Sequence, residues 1–204
     1  MRHTLGTAAL PLLVLLAAPA WTEPVRVSGR IEPAGAPGAV VELLPQIADH
    51  GQAVRLLDGQ AAPPLAAARP AADGTFELIA PGPGFYRIAV RADGFLEMTS
   101  SLQALIEEKE MPPVRLPRAA AFELTVLGPS GEPAAGIVVR ADAAPERSFT
   151  TPDWFPAPRR AVSASDGRLS LPKGPGEKLV ATVLSPGFLG QRSTSPRRRS
   201  QSCA

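Results

Sequence analysis

One cysteine stands among 204 residues, and it is Cys203, the penultimate position. No intrachain disulfide can form, so a folded region has to rest on its apolar core. Histidine is almost as scarce, with His3 and His50 alone. A zinc site needs three or four clustered ligands, and His50 has no histidine or cysteine near it in sequence. It reads as a solvated loop residue. The chain has no Gly-x-Ser-x-Gly elbow to expose a serine nucleophile. Nor does it hold an Asp-x-Asp-x-Asp-Gly run that would gather oxygens around calcium. These gaps exclude the familiar catalytic and metal signatures, and the reading is a non-enzymatic chain with no cofactor and no metal. Asp73, Asp93 and Asp166 read as turn residues, in which Asp bonds its own turn backbone while the following Gly takes a positive φ.

Long apolar runs are missing except at the start. Arg2 and His3 precede an apolar stretch over residues 5–18, and Ala18-Pro19-Ala20 supplies small residues of the kind a signal peptidase reads. The stretch is shorter than the ~20 residues of a spanning helix, and Pro11 interrupts it. Residues 1–20 therefore read as a secretory signal, cut at Ala20–Trp21, with no membrane span remaining afterwards. The expected location is secreted, periplasmic or cell-envelope.

Basic charge is also lacking over most of the length. The whole chain carries +2, but residues 21–191 hold sixteen basic against nineteen acidic residues, a net of −3. Four arginines fall in the last fourteen residues, QRSTSPRRRSQSCA, which have no aliphatic periodicity. Residues 192–204 are read as a disordered basic tail. The mildly acidic body has no electrostatic footprint for nucleic acid.

What the chain does have is a repeat. Residues 73–95, DGTFELIAPGPGFYRIAVRADGF, align without a gap on residues 166–188, DGRLSLPKGPGEKLVATVLSPGF. The offset is 93 residues, and the identities are Asp73/Asp166, Gly74/Gly167, Leu78/Leu171, Val90/Val183, Gly94/Gly187 and Phe95/Phe188. Strand-core and turn residues recur, so the repeat describes a scaffold. Tyr86, Ile88 and Val90 alternate onto one face, and Leu179, Ala181 and Val183 take the same places in the second copy. Proline and glycine make up 42 of 204 residues, frequent punctuation that falls short of the disordered range of roughly 25–30%. Short β-rich stretches between turn signals predict an all-β sandwich.

The first unit, 21–117, has expected strands over 25–31, 39–44, 75–79, 85–91, 95–102 and 113–116, the last an edge strand because of its proline. A long connection over 45–70 holds a short strand near 53–57, and 102–109 is expected to form a helical turn. The second unit, 118–191, repeats the order with strands over 122–127 and 137–141, then a long connection over 143–160, then the matched frame. It has only Leu189 and Gly190 between its last Gly-Phe and the basic tail, so its final strand is expected to be missing, through truncation or a frame shift.

Gly131-x-Pro133-x-x-Gly136, Asp73-Gly-Thr-Phe-Glu-Leu78, Gly84-Phe-Tyr-Arg-Ile-Ala-Val90 and Gly94-Phe95 resemble the carboxypeptidase regulatory-like family, the transthyretin-like or prealbumin-like sandwich. The resemblance covers residues 24–191 in two tandem copies. It departs from the pattern at the shortened Pro37-Gly38 turn and at the long 45–70 insertion. It implies two tandem Greek-key β-sandwich domains of transthyretin-like or Ig-like type, the second truncated. It also implies a non-catalytic role beside secreted bacterial peptidases, outer-membrane receptors or surface proteins.

The strongest candidate for binding is 149–160, FTTPDWFPAPRR, with Trp154, Phe155 and Arg159 as the proposed ligand-binding residues and Arg160 beside them. Exposed aromatics between prolines stack on sugars or fill partner pockets. The alternative is that Trp154 folds back to cap the open end of the sandwich, as a large aromatic in a long loop commonly does. Three functions follow as expectations: a structural, spacer or adhesion module with a protein or glycan partner at the envelope; a carbohydrate-binding module; or an accessory fragment of a larger peptidase or receptor. The sequence leaves the oligomeric state open.

Overall fold

The computed structural model describes residues 23–46, 63–144, 153–185 and 193–194. The signal segment, Trp21, His50, the short strand near 53–57, Cys203 and most of the tail lie outside the described residues. Among the described residues the chain is all-β, with no helix.

The first unit has two facing sheets. One orders β4 (Thr75–Ala80), β1 (Val25–Glu32) and β8 (Lys109–Glu110), with β9 (Val114–Arg115) also on β1. The other orders β3 (Ala66–Ala68), β2 (Val40–Pro45), β5 (Gly84–Arg91) and β6 (Met98–Ser100), with β7 (Gln103–Leu105) pairing β5. Alternation sends Val25, Val27 and Ile31 inward from β1, and Phe76, Leu78 and Ala80 inward from β4. They meet Val41, Leu43, Tyr86, Ile88 and Val90 from the opposite sheet in one core. Each large aliphatic buried there contributes about 1.5–3 kcal/mol.

The second unit repeats this plan. β10 (Ala120–Thr125) pairs β14 (Arg168–Lys173), and the facing sheet orders β13 (Arg159–Val162), β11 (Val138–Ala143), β15 (Leu179–Val183) and β16 (Ser193–Thr194). Register makes the correspondence residue by residue. Val41 faces Ala68 and Val90, as Val139 faces Ala161 and Val183. Val27 faces Leu78, as Phe122 faces Leu171. The 93-residue offset thus extends beyond the sequence repeat, to Ala68/Ala161 on one edge. At one cross-strand pair the volume is exchanged. Gly29 lies opposite Phe76, whose ring would stand 2.6 Å from a Cβ at position 29, whereas the second unit places Leu124 opposite Leu169.

Three expectations meet differences. Residues 102–109 are not a helical turn: β7 and β8 occupy them, because Gln103–Leu105 completes the pairing of Gly84–Tyr86 on β5. The tail is not wholly irregular in the described part, since Ser193–Thr194 pairs Ala181 and Val180. The 143–160 connection contains a strand, β12 (Trp154–Pro156), which joins the first unit's sheet instead of the second's.

Candidate functional site at the junction of the units

β12 lies antiparallel to β6, with Trp154 opposite Ser100, Phe155 opposite Thr99 and Pro156 opposite Met98. The pairing is extended at both ends, where Ser101 N–H donates to the Asp153 carbonyl at 3.0 Å and Ala157 N–H donates to the Glu97 carbonyl at 2.9 Å. Trp154 is half-buried against the first unit's core, and its Nε1–H donates to the Pro112 carbonyl at 2.9 Å. Trp154 does fold back, but onto the neighbouring unit and not onto the open end of its own. Phe155 is half-buried in the same strand.

The chain then passes Ala157 and Pro158 and enters β13. Arg159 stands opposite Ala141, where the first unit has the small Ala66 opposite Leu43. Its guanidinium is buried and pairs with Glu177, Nη2 to Oε1, at 2.7 Å. Glu177 Oε2 accepts the Gly174 N–H at 2.8 Å, so both carboxylate oxygens are held. Arg159 Nη1 is buried with no hydrogen-bond partner among the described residues. Burial of an unmet guanidinium N–H is costly, and the ion pair offsets the penalty.

A cleft of about 370 Å³ opens here, lined by Arg91, Phe95, Glu97, Ala157, Pro158, Arg159, Arg160 and Pro172. Arg91 is held by Glu42 across β2 and β5. Among the described residues Glu97 supplies the only carboxyl in the lining, and desolvation holds it above the usual carboxylate range despite Arg91. Of the three arginines in the lining, Arg91 is already ion-paired with Glu42 and Arg159 with Glu177. Among the described residues the lining holds no hydroxyl, thiol or imidazole. The cleft floor is part of the joint, for Leu96 N–H donates to the Pro117 carbonyl, Ala119 N–H donates to the Gly94 carbonyl, and Arg118 covers the Phe95 ring.

Of the proposed binding residues, the structure brings Arg159 to the cleft with Arg160, and puts Trp154 and Phe155 in the strand leading to it. Sequence reasoning missed Arg91, Phe95 and Glu97. Phe95 and the Gly before it were visible as repeat identities, but nothing local ties them to a segment sixty residues later. The Asp-Gly turns hold as read. Asp73 Oδ1 accepts from Thr75 N–H and Oγ1–H at 3.0 and 2.7 Å, and Asp166 Oδ1 accepts from Arg168 N–H at 3.0 Å. The Thr75 bonds pull the Asp73 carboxyl below its ordinary range. Among the described residues no group of three or more His, Cys, Asp or Glu is placed to hold a metal ion.

No family model matches the chain, and no curated protein matches its sequence. Among solved structures it is similar to the TIE protein of Bacillus anthracis, at 11% identity and a TM-score of 0.30, over 84% of this chain and 30% of that one. It is similar to a streptococcal ancillary pilin at the same identity and TM-score, over 85% of this chain and 59% of that one. The shaft pilin SpaA of Lactobacillus rhamnosus GG gives 11% identity and a TM-score of 0.28, over 85% of this chain and 92% of that one. The chain thus spans less than two thirds of the first two. Likeness at these TM-scores carries no argument about function.

Proposed function

We propose that this chain is a non-enzymatic β-sandwich module that acts as a structural, spacer or adhesion-type element at a bacterial cell envelope, secreted through its N-terminal segment. The observation that carries this reading is the β12–β6 pairing. The most aromatic segment of the second unit is built into the first unit's sheet, so main-chain hydrogen bonds and the Trp154 indole make the joint. A joint of that kind holds two sandwiches at a set angle, which suits an element that transmits position or load. The tandem Greek-key architecture of the carboxypeptidase regulatory-like family is the finer form of the same proposal, supported by the matched strand registers and the Asp-Gly turns.

Calorimetry tests it. The wild-type chain unfolds in one transition, and Trp154→Ala separates it into two, because each unit keeps its own core when the joint is lost. Two independent transitions in the wild type would remove the rigid-joint reading.

A second reading is a carbohydrate-binding module, favoured by the arginine-lined cleft beside Phe95 and Phe155. It calls for retardation on a polysaccharide gel that Phe155→Ala and Arg159→Ala weaken. Equal mobility on acidic and neutral polysaccharides, with or without these substitutions, would exclude it.

A further inference from the structure

We propose that the outer face of the first unit's larger sheet, where β12 crosses it, seats a neutral oligosaccharide held by the Thr99 hydroxyl, the Arg87 guanidinium and the Phe155 ring. This site rests on the carbohydrate-binding reading, and it moves the centre of binding from the cleft to the sheet beside it.

Pairing fixes which side chains share that face. Val41, Leu43, Ile88, Val90 and Met98 point into the core. Alternation therefore turns Glu42, Ala89 and Thr99 outward. They stand in one row, with Glu42 opposite Ala89, Ala89 opposite Thr99 and Thr99 opposite Phe155. Ala89 and Thr99 are only 3% and 7% exposed, although neither belongs to the core cluster. Two short side chains are thus sunk between longer ones and make a floor. Arg87 stands on one side of the row, opposite Leu44. Arg91 stands on the other, about 13 Å of strand away, and Glu97 faces it when the β5–β6 register is continued by one residue. Arg91, Glu97 and Ala157 also line the cleft, so the floor adjoins it. Phe155 comes from β12, so the row is complete only when the second unit's strand is in place.

The Thr99 hydroxyl is the group the fold leaves over. It makes no hydrogen bond among the described residues. Unlike Arg159 Nη1, its oxygen is not sealed from the surface. A hydroxyl nine-tenths buried and unpaired destabilises the fold unless something else meets it. Arg87 is exposed and likewise has no ion pair or hydrogen bond among the described residues. Glu42 holds Arg91 through Oε1, and its Oε2 has no partner among them.

A guanidinium only donates, a carboxylate only accepts, and a threonine hydroxyl does both. The ligand that meets all three carries groups that are each donor and acceptor, which describes the hydroxyls of a sugar. Phe155 is half-buried and is the one aromatic of the row, a ring for the apolar side of a pyranose. The charges around the floor balance, Arg87 and Arg91 against Glu42 and Glu97, so they favour a neutral chain over an acidic one. A peptide strand docks through main-chain bonds, and β5 beneath the floor is already paired with β2 and β6.

Affinity electrophoresis of the purified chain tests the site, in gels carrying soluble starch, xyloglucan or galactomannan, with polygalacturonate as the acidic polymer. The expected result is retardation on at least one neutral gel and none on polygalacturonate. Thr99→Val keeps the shape and removes the hydroxyl, and it weakens retardation about two- to tenfold, the worth of one hydrogen bond. Arg87→Gln weakens it by at least as much. Arg168→Gln, on the second unit's β14, migrates as wild type. Thr99→Val also holds or raises the urea midpoint, a result that a purely structural hydroxyl would not give. The inference is overturned if Thr99→Val and Arg87→Gln are retarded like wild type, if Thr99→Val lowers the midpoint, or if polygalacturonate alone retards the chain. Retardation that Arg159→Ala abolishes and those two variants leave intact would return the glycan to the cleft, keeping the carbohydrate reading and removing this site. Free migration on every gel removes both.

Discussion

Gly74 and Gly94 are both repeat identities with positive φ, +87° and +78°, yet their surroundings differ. A Cβ at Gly74 would stand 2.5 Å from the Ile31 carbonyl oxygen, while nothing lies within 4 Å of one at Gly94. Gly94→Ala is therefore expected to cost only the backbone term, about 1 kcal/mol, and Gly74→Ala about 2 kcal/mol or more, because the turn before β4 must also shift away from the end of β1. Urea midpoints of the two variants check this, and equal losses would show that the carbonyl contact has no weight. Glu97, an exposed residue whose carboxyl pKa is raised by desolvation, gives a pH dependence whose expected sign follows from that direction, moderated by solvent screening. Its folded-state pKa lies above the unfolded one, so its contribution is fully present below the ordinary carboxylate range and is lost as pH rises through the raised value. Glu97→Gln should raise the melting temperature at pH 7 and leave it unchanged at pH 3. A loss at pH 7 would mean that the Arg91 attraction outweighs desolvation.

At the scale of the element, the strands of both units were legible where alternation and turns agreed. Tyr86, Ile88 and Val90 face inward as their spacing requires, and Asp73-Gly74 and Asp166-Gly167 turn the chain where the residues say they must. Residues 102–109 misled because Leu, Ala, Ile, Glu and Lys favour helix locally. The free edge of β5 beside Gly84–Tyr86 offered a pairing that local propensity cannot report. β12 was illegible for a stronger reason: its partner Met98–Ser100 is more than fifty residues away in the other unit, and Phe-Pro flanks look like loop punctuation. The cleft shared that fate, since Phe95 and Glu97 meet Arg159 only through this crossing. Two element-scale outcomes follow. Trp154→Phe keeps an aromatic ring, though a smaller one, and loses the bond to the Pro112 carbonyl, a loss of about 1 kcal/mol or more by urea titration. Leu171→Ala, at the fully buried centre of the second unit, is expected to cost about 2–5 kcal/mol, and a near-neutral result would show that this unit lacks a packed core.

At the scale of the molecule, the two units share a strand plan but differ in how completely it is closed. Among the described residues, seventeen buried residues make the first core and six the second, and part of the difference is Leu105, Met111, Val114 and Leu116, on or beside β7 and β9. The second unit is tied to the first through β12. The central claim is a duplicated scaffold whose second copy is strapped to the first by its own connecting strand. A map of interstrand nuclear Overhauser contacts tests it most directly. The account predicts contacts pairing Phe122 with Leu171 as Val27 pairs with Leu78, and a further set joining Phe155 to Thr99. A second-unit register displaced by one residue, or Phe155 contacts confined to the second unit, would contradict it.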